Sequence, residues 1–198
     1  MKKIFFIPLM ILMLSAKIGY SQSENFSLFY TMGFPTGKLS DHIQDVSFRG
    51  MGFDMRFFKN DNIALGFGMT WNTFYHELPY DTYSNGTLSV SGKQYRYYNS
   101  IPVHIYGSYY LGFHEAPIRP FVSVGVGTAW NEKRTEMGIF MVQDKGWQFS
   151  IQPEIGVLIK ASDYNSLMIS AKYNTPFKSV NLDANPYLTL NVGLSFGM

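Results

Sequence analysis

The chain contains no cysteine and only four histidines, His42, His76, His104 and His114. Thiol chemistry is therefore excluded, and a metal or nucleophile site would have to be built from imidazole, carboxylate and hydroxyl groups. His76-Glu77 and His114-Glu115 are His-Glu pairs. Neither continues to a second histidine at the spacing that puts two imidazoles around zinc on one helix face. No metal, cofactor or catalytic residue is expected. The titratable residues that do share a pattern are Asp54, Arg56, His104, Glu154 and Lys172, accompanied by the amides Gln152 and Asn174. Two carboxylates and two strong bases suit mutual neutralisation in a poorly hydrated interior. A proton or ligand site is the alternative use of the same set.

The pattern they share is period two, the signature of β-strands. It is cleanest at the C-terminus, where Leu188, Leu190, Val192, Leu194 and Phe196 alternate with Thr189, Asn191, Gly193 and Ser195. Read backwards from there, the alternation predicts eight strands, near 25–34, 47–58, 63–73, 95–111, 120–130, 147–160, 167–177 and 187–198. Asp54 and Arg56 fall on the non-apolar face of the second, His104 of the fourth, Gln152 and Glu154 of the sixth, and Lys172 and Asn174 of the seventh. Pro102 has no amide to give to a ladder and suggests a bulge. The connections at 59–62, 112–117 and 162–165 are short. Those at 35–46, 77–92, 131–145 and 178–186 are longer, polar and mixed in charge, and Asn85-Gly86 suits a hairpin turn within the second of them. Short turns on one side and long loops on the other are the pattern of a membrane barrel.

Periodicity alone leaves open whether the apolar face meets a protein core or lipid. A soluble lipocalin-like barrel would turn it inward. Two observations favour lipid. Only 15% of residues are charged while 17% are aromatic, against about 25% charged in soluble domains. Aromatics also gather at strand ends. Trp71, Tyr75, Tyr95, Tyr97, Trp130, Trp147, Tyr173 and Tyr187 form a loop-side ring, and Phe26, Phe57, Tyr109, Phe121 and Phe196 a turn-side one. Such rings are the interfacial girdles of membrane proteins.

Residues 1–21 read as a secretory signal peptide. Lys2 and Lys3 precede the apolar run 4–14, and Gly19 and Ser21 are the small residues before the expected cleavage at Gln22. Removing Lys2, Lys3 and Lys17 turns the formal charge from +2 to about −1. Nothing then argues for nucleic acid. Residues 22–198 make one domain.

Three stretches carry a family resemblance. Asn191-x-Gly193-x-x-Phe196-x-Met198 resembles the C-terminal signal read by the outer-membrane barrel assembly machinery. The stretch 98–106, YNSIPVHIY, is similar to the Tyr-x-Glu-Ile-Pro strand of the Bacteroidota outer-membrane β-barrel domain family, with Ser100 where that family usually has Glu. The stretch 119–127, RPFVSVGVG, is similar to its next strand. The resemblance implies an all-β, eight-stranded, antiparallel up-and-down transmembrane barrel in the bacterial outer membrane. It implies outer-membrane lipid as surroundings and a structural, envelope or adhesive role, with an extracellular partner meeting loops 35–46, 77–92 and 131–145. Some such barrels modify lipid A, but the His-x-Ser pair of the deacylase type is absent here. A lipid-modifying enzyme and a soluble periplasmic lipid-binding barrel are the alternatives.

Overall fold

The structure, a computed structural model, describes residues 24–85, 88–113 and 116–197. Residues 1–23, which include the expected signal peptide, and Gly86, Thr87, His114, Glu115 and Met198 lie outside the described residues. Eight strands close into a barrel in sequence order: β1 (Glu24–Pro35), β2 (Gly50–Phe58), β3 (Ile63–Asn85), β4 (Leu88–Tyr110), β5 (Ile118–Met137), β6 (Phe140–Lys160), β7 (Asn165–Pro176) and β8 (Tyr187–Phe196). Every neighbouring pair is antiparallel. β8 closes the ring on β1, with Phe26 opposite Phe196 and Pro35 opposite Tyr187.

The alternation resolves as the sequence pattern requires of a membrane barrel. Outward positions such as Leu28, Leu65, Ile105, Val124, Ile155 and Val192 are exposed, while Asp54, His104, Gln152 and Lys172 are buried inside. A lipocalin-like barrel would show the reverse. An exposed aliphatic belt of this extent is solvated by hydrocarbon, not by water.

Inside, aromatic rings fill the space that eight strands leave. They lie over glycines of the adjoining strand. A Cβ on Gly125 would meet the Tyr106 ring at 2.6 Å, and one on Gly156 the Phe121 ring at 2.5 Å. Small residues on the polar face therefore make room for packing.

Four sequence expectations need correction. Segments 77–92 and 131–145 are not loops. β3 and β4 stay paired out to Asn85↔Leu88, and β5 and β6 to Met137↔Phe140. These extensions carry charge on both faces because both meet water, so the apolar alternation stops although the ladder does not. Segment 35–46 contains a short helix, α1 (Lys38–His42), preceded by Gly37 at φ 52°. Pro102 carries no bulge, for the β3–β4 register is the same on both sides of it, and the shift falls between Leu78 and Asp81. Tyr187 and Phe121 do not belong to the girdles: both are 1% exposed and point inward. Tyr187 opens β8 on the inward parity, with Thr189 and Asn191.

Candidate functional site

The barrel places its chemistry in two regions, the lumen and the outer end. In the lumen, β2 contributes Asp54 and Arg56, β6 Glu154 and β7 Lys172. The Arg56 Nη2 lies 2.6 Å from Glu154 Oε2 and 3.2 Å from Asp54 Oδ2. The Lys172 ammonium lies 2.8 Å from Asp54 Oδ2 and 3.8 Å from Glu154 Oε1. Each base thus touches both acids, and the quartet is formally neutral. Its four side chains are at most 2% exposed, so full desolvation is offset by this mutual pairing.

Aromatic rings complete the coordination. Arg56 Nη1 donates to the Tyr110 hydroxyl at 2.9 Å, and its guanidinium lies 4.6 Å from the Phe121 ring centre. Lys172 Nζ lies 4.4 Å from the Phe29 ring centre. Such contacts hold cations where water is scarce. Gln152 stands apart from the quartet, accepting from the Tyr106 hydroxyl and donating to Asn174. His104 also stands apart, its Nε2 2.6 Å from Ser150 Oγ. A lone imidazole–hydroxyl pair lacks the third group that would orient it as a base. Tyr106 and Tyr110 share the strand parity of His104, so the alternation placed them on this face. Their role as rings packed around the cations was not readable from that.

Both ends of this polar centre are apolar. On the turn side, Phe29, Phe58, Ala64, Tyr110, Phe121, Leu158 and Met168 pack together. Arg119 is buried among them, its guanidinium 5.0 Å from the Phe58 ring centre and 4.7 Å from that of Tyr110. On the loop side, Leu39 and Ile43 are fully buried against Phe74, Tyr98 and Tyr187. Spacing of four residues sets Leu39 and Ile43 on one side of α1 and its C-cap. That pair was the sequence signal for a plug inside segment 35–46. Arg96 Nη1 ties α1 down, donating to the His42 carbonyl at 3.1 Å. Tyr187 donates to Ser100 Oγ at 2.8 Å.

The outer end is a sheet. β2 leaves β3 at Gly50↔Asn72, and β7 meets β6 no higher than Ser150↔Pro176. Above the last bonds to those neighbours, Thr73 to Arg49 and Phe177 to Phe149, β3, β4, β5 and β6 continue as four strands, with no further strand paired to either outer edge among the described residues. The β3 edge carries the register shift, Pro79 and the Lys93–Glu77 ion pair at 2.6 Å. Bulges, prolines and charges are devices that blunt an edge. The β6 edge over 140–143 has continuous register, no proline and no charge, and Asp144 and Lys145 follow only below it. Its tip is apolar, with Ile139 94%, Met141 58% and Val142 66% exposed. The turn beside it starts with Gly138 at φ 58°, a positive φ at the first turn residue as a two-residue hairpin requires.

The remaining expected residues fall where parity puts them. Trp71, Tyr75, Tyr95, Tyr97, Trp130, Trp147 and Tyr173 are on the outward face, but those on β3 to β6 lie within the strands and not at their ends, because these strands run on beyond the aromatic ring. Asn191 and Gly193 face inward and Phe196 outward.

No family model and no curated protein matches the chain. Solved structures do. Neisserial surface protein A aligns with TM-score 0.53 and 13% identity, covering 89% of this chain and 97% of the other. Ail, the attachment invasion locus protein of Yersinia pestis, in a complex with the heparin analogue sucrose octasulfate, aligns with TM-score 0.51 and 11% identity, covering 89% and 97%. At such identities the likeness is one of fold: the chain is an eight-stranded antiparallel barrel of the kind found in small outer-membrane proteins.

Proposed function

We propose that the protein is a non-catalytic outer-membrane barrel that holds a rigid β-sheet outside the cell and binds a partner there, as an adhesin or envelope-interaction protein. The observation that supports this best is the uncharged edge of β6 over 140–143, beside a sheet whose opposite edge is blunted. An extended segment of a partner can add to such an edge through main-chain hydrogen bonds, with Met141 and Val142 supplying apolar contacts. The sealed lumen argues against a solute pathway. Membership of the Bacteroidota barrel family, with its assembly signal at Asn191, Gly193, Phe196 and Met198, is part of this proposal. So are the assembly machinery and lipid as its partners.

The test is adhesion of cells displaying the protein to an epithelial monolayer, wild type against Met141→Pro. By the parity of the Phe177–Phe149 bond, the Met141 amide faces the free edge and not β5, so proline there removes an edge donor without breaking the β5–β6 ladder. Loss of adhesion at unchanged surface abundance is expected. Equal adhesion would refute the role of this edge.

A further inference from the structure

We propose that the lipid-facing wall of β1–β3 holds a specific site for a phosphorylated, multiply acylated lipid of the outer leaflet, of the lipid A class. One acyl chain lies in a groove and a phosphate sits on Arg49. The groove is about 890 Å³ and is lined chiefly by Leu28, Tyr30, Met51, Phe53, Met69 and Trp71. It arises because β2 starts only at Gly50, so the incoming segment crosses the wall instead of extending it. The Tyr30 hydroxyl donates to the Phe48 carbonyl, which fixes Tyr30 and Phe48 as one bank. Trp71, on β3, is part of the other.

Arg49 stands at the rim. It is exposed, and no carboxylate lies within ion-pairing distance of it among the described residues. Its guanidinium lies 5.7 Å from the Tyr75 ring centre. The Thr73 amide donates to its carbonyl at 3.0 Å, which fixes its height two residues above the Met51↔Trp71 pair. That is the level of the loop-side aromatic ring, where headgroups lie. Arg134, the other outward arginine near this ring, is neutralised by Glu136 at 3.1 Å. Arg49 is not, and no acid lines the groove. A planar fork without a counter-ion, directly above an acyl-sized apolar trough, matches a lipid phosphate in both charge and depth. This site is independent of the partner-binding edge, which lies on the far strand β6.

The test is native mass spectrometry of the protein released from nanodiscs that contain equal amounts of lipid A, dephosphorylated lipid A and phosphatidylglycerol. Wild type should retain lipid A. Arg49→Gln should lower that retention about tenfold, the loss of one charge-assisted contact, and the groove-filling Met69→Trp should lower it as well by excluding the acyl chain. Lys145→Gln, an exposed cation on β6, should leave it unchanged. Heat-modifiable migration reports whether each variant is folded. Equal retention by a folded Arg49→Gln variant would overturn the proposal. So would equal retention of the dephosphorylated lipid, or preference for phosphatidylglycerol.

Discussion

Lys172 shows why the lumenal quartet must be complete. Its ammonium pairs with Asp54 and Glu154 in a space nearly closed to water. Lys172→Met should destabilise the barrel by about 3 kcal/mol or more, because two acids would share only Arg56. Unfolding in urea from lipid vesicles measures this, and an unchanged midpoint would contradict it. The double variant Lys172→Met with Asp54→Asn should recover part of the loss, since it removes the stranded charge along with its partner. His42 is a different case, the last residue of α1 at the loop-side end of the barrel. Burial, then the nearby charges of Lys133, Arg96 and His76, hold its pKa down at about 4, against an ordinary 6.5. The unfolded segment takes up a proton first as pH falls. The contribution of neutral His42 is therefore full above about 6.5 and is lost as pH falls towards 4. Amide protection factors of α1, corrected for intrinsic exchange, should fall over that range in wild type and stay level in His42→Asn.

Elements differ in how far the sequence alone disclosed them. The spanning parts of the strands were legible because lipid on one face and a packed lumen on the other impose strict alternation, as from Leu188 to Phe196. The same reasoning placed Asp54, Arg56, Glu154 and Lys172 on one face. It did not show that they touch, since contact depends on which strands face one another across the closed barrel, as in Arg56–Glu154 and Lys172–Asp54, 98 and 118 residues apart. Alternation carries no information where both faces meet water. That is why the upper parts of β3 to β6 read as loops, and charged residues such as Glu132 and Arg134 reinforced the impression. Tyr187 misled for another reason. Its position at a strand end suits a girdle, but its parity sends it inward to cap the lumen with Phe74 and Tyr98. β8 also carries an element-level expectation. Phe196 is outward and paired across from Phe26 and Asn165. Phe196→Asp should sharply reduce the heat-modifiable, membrane-inserted fraction, whereas a tip substitution such as Ile139→Ser should leave it intact.

For the whole molecule, the consequence is a sealed, rigid post. Two apolar caps enclose a polar centre, and the four longest strands project beyond the rim. Planar-bilayer recordings should show no stable open channel, and a regular conductance step would contradict the sealed lumen. Protease added to intact cells should nick the hairpin tip near Gly138 and spare the turn at 59–62. The claim beneath all of these is that the outward residues meet hydrocarbon. The absence of cysteine from the chain makes a direct test simple. Single spin labels at Ile105, Val124, Ile155 and Val192, with the protein in lipid vesicles, can be probed with oxygen and with a water-soluble nickel chelate. High oxygen accessibility with exclusion of the chelate at all four positions is expected. Chelate accessibility at these positions matching that of an exposed aqueous site such as Asp163 would contradict the account.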